Sequence, residues 1–255
     1  MSETTPHAAD ASSDDARARR YYDDFSRNYD HGRDAGYHAL VDDIEAGIVL
    51  PHARGRRALE VGCGTGLLLE RVAGQAREAI GIDVSPGMLR AAQARGLNVL
   101  RASATALPFA DDSFDVTYSF KVLAHVPQLD RALREMARVT RPGGVLVIEL
   151  YNPWSLRYAA RRLAGARRIG ASHREDDVST QWHSPPRLRR AIPAGCELVE
   201  LRGVRVVTPF AALHRVPLMR EALAWAERRA SRSALARFGG FLVAIARKRG
   251  GALSP

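Results

Sequence analysis

The strongest constraint on how this chain folds is the regular alternation of short apolar segments with amphipathic ones across residues 57–151. Strand-like runs read at 57–61, 78–83, 97–102, 114–120 and 145–151, each apolar enough to be buried on both faces. Helical stretches fall between them at 66–74, 86–95 and 128–139. Strand, helix, strand in repetition predicts an α/β architecture, a parallel sheet with helices on both faces. Two further strands read at 196–207 and 240–247, separated by a helical insertion around 212–236. Ahead of the alternation, Tyr21 to Tyr29 and Tyr37 to Leu50 read as two short helices, with Pro51 ending the second.

The first strand runs into Gly62-Cys63-Gly64-Thr65-Gly66 and then into a helix. Glycines there tolerate unusual backbone angles and let a ligand touch the main chain, while the free N–H groups of the next helix face it. Such a loop suits a nucleotide-type ligand; a plain tight turn is the alternative. A dinucleotide fingerprint would need glycines at 62, 64 and 67, but the third glycine is Gly66 and position 67 is Leu67. No lysine follows, so a phosphate loop of the G-x-x-x-x-G-K type is absent as well. Asp83 ends the second strand, 21 residues after Gly62, where a carboxylate can accept both hydroxyls of a ribose.

With 255 residues, 46% hydrophobic and 26% charged, the chain suits one globular domain with additions. No run of 18 apolar residues reads as a membrane span, and residues 1–20, polar and acidic, lack the apolar region of a secretory signal. The expectation is a disordered leader on a cytoplasmic protein. Cys63 and Cys196 match no metal spacing and read as reduced thiols. Charge is uneven: residues 1–150 carry a net −3 and residues 151–255 a net +13. A basic face towards an anionic substrate, a lipid surface or nucleic acid is one reading; a solvated arginine-rich face is the other.

Four segments taken together, LEVGCGTG, GIDVSPGML, ATALPFADDSFDV and VTRPGGVLVIE, resemble the class I S-adenosylmethionine-dependent methyltransferases. The resemblance covers residues 21–150 well and the last two strands loosely. It implies a Rossmann-like, seven-stranded, mostly parallel sheet whose last strand is antiparallel, with S-adenosylmethionine as cofactor and S-adenosylhomocysteine as product. Within a domain over 21–255, residues 21–56 would form a helical cap, 57–152 the cofactor core, and 153–192 and 208–239 substrate-side insertions. Glu60, Gly62, Cys63, Gly64 and Gly66 match the loop around the methionine and ribose, and Asp83 the ribose acid. Val84, Ser85 and Met88 fall where the next turn covers adenine, as do Ser103, Ala104 and Thr105 at its edge. Ser119, Phe120 and Lys121 fall near the reactive methyl, and Tyr22 in a segment that folds over the cofactor. No metal is implied.

Many relatives carry an acid where this chain has Ser103, and Glu-His where it has Ala124-His125. His125 is a candidate general base, with packing as the alternative role. On the substrate side the candidates are Tyr29, Arg33 and Tyr37 in the cap, Lys121, then Tyr151, Asn152 and Trp154 after the fifth strand. Arg157, His173, Arg174, Trp182 and His183 in the insertion would give an anion-accepting, aromatic-walled pocket.

The resemblance implies methyl transfer, here expected to oxygen or carbon of a small organic acceptor, anionic or lipid-like. A peripheral-membrane lipid or quinone methyltransferase is an alternative. A nucleic-acid methyltransferase ranks well below the small-molecule reading, because the place after the fourth strand reads Ser119-Phe120-Lys121-Val122 and lacks the paired prolines of the amino-methylating kind. A scaffold that binds the cofactor without turnover is the last.

Overall fold

A computed structural model describes residues 22, 23, 26, 29–31, 33, 36–164, 168–169, 173–174, 180–208 and 217–250. The expected leader, 1–20, lies outside the described residues, as do the side chains of His173 and Arg174. Seven strands form one sheet: β1 (Arg57–Val61), β2 (Glu78–Asp83), β3 (Val99–Arg101), β4 (Phe114–Ser119), β5 (Thr140–Tyr151), β6 (Cys196–Val204) and β7 (Phe241–Lys248). Their spatial order is β3-β2-β1-β4-β5-β7-β6. The first five pair in parallel, and β7 runs antiparallel to both β5 and β6. This is the doubly wound, Rossmann-like arrangement with an antiparallel last strand that the sequence resemblance implies.

Side-chain alternation divides the core. On β5, Val145 and Val147 face the first helix, α1 (Gly36–Ala53), while Leu146, Ile148 and Leu150 face α4 (Leu129–Val139). Leu40, Val41, Ile44 and Val49 of α1 cover one side; Leu133 and Met136 of α4 cover the other. Between the strands lie α2 (Leu67–Ala73) and α3 (Pro86–Ala94). Further on come α5 (Leu156–Ala164), α6 (Pro185–Ala191) and α7 (Pro217–Ser231). Ser184 takes the N-cap position of α6 with prolines behind it, but its side chain makes no capping bond. No helix among the described residues is long and apolar enough to cross a membrane.

Two of the element ends that differ from the sequence reading have a visible cause. Pro51 sits inside the last turn of α1 and does not stop it; a missing N–H there costs one bond, and the helix closes with Arg54 N–H on the Leu50 carbonyl at 3.1 Å. Strand β5 starts at Thr140, ahead of Pro142 and the two glycines, because its register against β4 shifts between Phe114 and Val116. The Pro-Gly-Gly stretch is the bulge that absorbs the shift, with Gly143 at φ 76°.

Candidate functional site

Parallel strands end at one edge of the sheet, and the loops after β1, β2, β3, β4 and β5 gather there. The loop after β1 turns sharply over the end of β2. Gly62, Gly64 and Gly66 all adopt left-handed angles, φ 79°, 55° and 87°. The N–H groups of Gly62 and Cys63 both donate to the Ile82 carbonyl, at 2.8 and 2.9 Å. A Cβ on Gly62 would sit 2.4 Å from Val122 and one on Gly66 2.3 Å from Leu97, so both are packed against neighbours. At Gly64 the nearest atom to such a Cβ is Met88 Sδ at 4.0 Å. The loop is therefore open at its middle glycine, where a ligand can lie on the backbone. Cys63 turns its side chain into the core with Leu69 and Leu89, and burial pushes its thiol pKa up.

Asp83 joins this loop to the next. Its Oδ2 accepts the Gly64 N–H and its Oδ1 the Ser85 N–H, both at 2.9 Å. Burial raises its pKa and these bonds oppose the rise. Ser85 caps α3, accepting from the Met88 N–H at 3.1 Å, and Met88 is buried beneath. Val84 continues the turn between Asp83 and this cap. After β3, the Ser103 and Thr105 hydroxyls lie 2.9 Å apart beside buried Ala104.

The segment before α1 closes over these loops through two acids that the sequence reading did not single out. Asp23 Oδ1 accepts from the Ser85 hydroxyl at 2.6 Å and from the Gly87 N–H at 2.8 Å. Asp30 accepts from the Thr65 hydroxyl at 2.6 Å and pairs with Arg95 at 2.8 Å. Tyr22, half-buried, stands next to Asp23. An acid facing the N-terminus of α3 is a pattern that helix electrostatics favours, yet only the fold tells which acid does so.

A charged cluster lies after β4. Lys121, at φ 62°, places Nζ 2.7 Å from Asp42 and 2.8 Å from Glu45, both buried on α1. Its N–H donates to Glu149 of β5 at 2.9 Å. Arg33 stands 3.5 Å from Asp42 and 4.5 Å over the Tyr29 ring, so Tyr29, Arg33 and Lys121 converge. Tyr37 does not join them; it lies under Arg205. Glu60, buried in β1, accepts from the Tyr118 hydroxyl at 3.2 Å, and burial holds its carboxyl well above the ordinary range. Ser119 donates its hydroxyl to the Val61 carbonyl at 2.7 Å, and Phe120 is buried next to Tyr118.

Beyond β5 an aromatic wall forms. Tyr151 packs on Phe241, His125 and Trp182 at ring distances of 5.0, 5.3 and 5.6 Å, and Tyr158 reaches Trp182 at 4.7 Å. Arg157 lies over Tyr151 at 4.7 Å and Phe241 at 4.8 Å. Burial pushes the Tyr151 hydroxyl up to about 12. Three candidates stand apart from this wall. Asn152, fully buried, spends its amide on the Arg237 and Gly239 carbonyls and its Oδ1 on the Trp154 N–H. Trp154 is exposed, and His183 turns to the far side of the segment that carries Trp182, near Asp130 and Arg187. Phe241 and Tyr158 join the wall without having been singled out; on sequence they read as ordinary apolar residues of a strand and a helix.

A glycine loop after β1 and an acid at the end of β2, on a sheet of this order, are the arrangement by which doubly wound domains hold a nucleoside. Residues 59–148 match the family described as "Methyltransferase domain". Over that segment the chain is similar to S-adenosylmethionine-dependent methyltransferases. It is 37% identical over 152 residues to an uncharacterized methyltransferase of Mycobacterium sp. (strain JLS), covering 58% of this chain and 60% of that one. It is 45% identical over 97 residues to a demethylmenaquinone methyltransferase of Renibacterium salmoninarum, covering 37% and 40%. The chain spans about half the length of the curated relatives it matches. A crystal structure of a methyltransferase from Thermotoga maritima shares the fold, with a TM-score of 0.62 at 20% identity over 92% of this chain and 99% of that one.

Proposed function

We propose that this protein transfers a methyl group from S-adenosylmethionine to oxygen or carbon of a small organic acceptor. The observation that carries the reading is Asp83 bridging the Gly64 and Ser85 N–H groups beside an open glycine backbone. Each Asp83 oxygen takes one N–H and keeps lone-pair capacity for the two hydroxyls of a ribose. Ser85, Met88, Ala104 and Thr105 would border the adenine, and the Gly62–Gly66 backbone the methionine part. The cofactor supplies a methyl already activated on a sulfonium. The chain's own task is then to align the acceptor and exclude water.

Tyr29, Arg33, Lys121 and the wall of Tyr151 and Trp182 are the groups we assign to the acceptor. Aromatic faces with arginines over them suit a flat or unsaturated acceptor that carries negative charge. A quinone-type acceptor is the second reading, favoured by the similarity to a demethylmenaquinone methyltransferase.

Incubating the full chain with methyl-labelled S-adenosylmethionine and a cell extract, then separating small molecules, lipids, protein and nucleic acid, tests both. Label in the small-molecule fraction supports the first reading, and label in the lipid fraction the second. Label confined to nucleic acid rejects both, and binding without any label leaves the scaffold.

A further inference from the structure

Four arginines gather at a site away from the glycine loop. A pocket of about 510 Å³ opens between α4 and α6, lined by Arg131 and Arg134 from the first helix and Arg187 and Arg190 from the second. Each pair is spaced three residues apart, so both members project from the same side of their helix. None of the four forms an ion pair among the described residues. Glu135, the nearby acid on α4, is already held by Arg138 at 2.7 Å, which leaves Asp130 as the acid in the lining. Four guanidinium groups against one carboxylate around a single concavity create a positive potential that favours an anion.

The floor of this pocket is built before any ligand arrives. Gln181 N–H donates to the Ala124 carbonyl at 2.8 Å, its side chain donates to the Val126 carbonyl at 2.8 Å, and His183 N–H donates to the Tyr151 carbonyl at 2.7 Å. His183, 3% exposed, has its Nδ1 without a partner, a buried polar atom of the kind that a bound group or water normally satisfies. Because the segment is extended, Trp182 faces the aromatic wall while Gln181 and His183 face the pocket.

We propose that this pocket binds a phosphate-bearing anion, with Arg131, Arg134, Arg187 and Arg190 as its donors. Guanidinium forks match phosphate oxygens in pairs, and a ligand with two or more charges offsets the excess of arginine. The volume exceeds what a single inorganic phosphate fills, so a diphosphate or the phosphate of an anionic lipid headgroup fits the same chemistry.

Calorimetry of the full chain with inorganic pyrophosphate, and sedimentation with phosphatidylglycerol vesicles against phosphatidylcholine vesicles, tests the proposal and separates the sources. The Arg134→Ala/Arg187→Ala variant should weaken binding at least tenfold, while Arg228→Ala/Arg232→Ala removes the same charge elsewhere and should leave it within twofold. Both pairs are exposed, and an unchanged thermal unfolding midpoint checks that each variant is folded. Pyrophosphate binding lost in the first variant identifies a soluble phosphate ligand; vesicle binding alone, lost in the same variant, identifies a lipid headgroup. Binding of neither probe, or equal weakening by both variants, overturns the proposal. A methyltransferase reading that fails would leave these binding results untouched.

Discussion

Asp83 accepts the Gly64 N–H at 2.9 Å, so the acid at the end of β2 and the glycine loop after β1 form one rigid unit. The unit presents two carboxylate oxygens on the open side of Gly64. Asp83→Ala removes both the brace and the acceptors for ribose hydroxyls. The expected loss of S-adenosylmethionine affinity is about 1–3 kcal/mol, the range for charge-assisted hydrogen bonds. Calorimetric titration reads it directly, and an unchanged affinity would reject the assignment of Asp83 to the ribose.

Gly66 and Gly55 both have positive φ, 87° and 68°, but only one is packed. A Cβ at position 66 would lie 2.3 Å from Leu97 Cδ1 and 3.2 Å from Ala92 Cβ, whereas position 55 has nothing within 4 Å. Gly55→Ala carries the left-handed cost alone, about 1–2 kcal/mol. Gly66→Ala adds overpacking of about 1–3 kcal/mol. Thermal unfolding of the two variants should therefore rank Gly66→Ala as the less stable; the reverse order would mean that α3 moves away from the loop at little cost.

The sheet was legible because its strands are runs such as Val145 to Leu150, buried on both faces, where composition and position coincide. Gly62, Gly64, Gly66 and Asp83 were legible for a related reason: a backbone that must turn and open admits few residue types. Asp23, Asp30, Asp42 and Glu45 were not. On a helix an acid reads as surface charge, and nothing local reports that Asp42 and Glu45 are buried against a lysine 79 residues from Asp42. Their role is set by how α1 lies on the sheet. The same holds for Arg131 and Arg187, distant in sequence and drawn to one pocket by the packing of α4 and α6.

Glu149 makes a prediction about pH. It is buried in β5, with Oε1 accepting the Lys121 N–H and Oε2 without a partner. Burial holds its carboxyl well above the ordinary range, with Glu45 adding repulsion and Lys121 opposing. The folded state therefore retains a proton that the unfolded chain releases, and this contribution to stability is full below the unfolded pKa, about 4.3, and declines as pH rises towards the folded value. Glu149→Gln keeps an oxygen for the Lys121 N–H and never ionises. Its denaturation midpoint should exceed that of the parent at pH 8 by more than at pH 5. Parallel midpoints across that interval would show that Glu149 keeps its charge in the fold.

His125 is the residue whose chemistry most needs deciding, since it is the sequence's candidate for a general base. Its Nε2 lies 3.2 Å from the Tyr151 hydroxyl and its Nδ1 3.4 Å from the Thr180 hydroxyl, with the ring edge-on to Tyr151. A neutral imidazole has one donor and one acceptor nitrogen. With the Tyr151 hydroxyl donating to one nitrogen and Thr180 accepting from the other, no lone pair remains for an acceptor's proton, so we expect a packing role. His125→Asn should lower stability by about 0.5–1.5 kcal/mol, as for a lost hydrogen bond. Once an acceptor is identified, kcat should stay within about tenfold, and the pH profile should keep its shape near the imidazole range, about 6.5. A loss of about 10²–10⁴-fold together with disappearance of the acidic limb would place His125 in the chemistry after all.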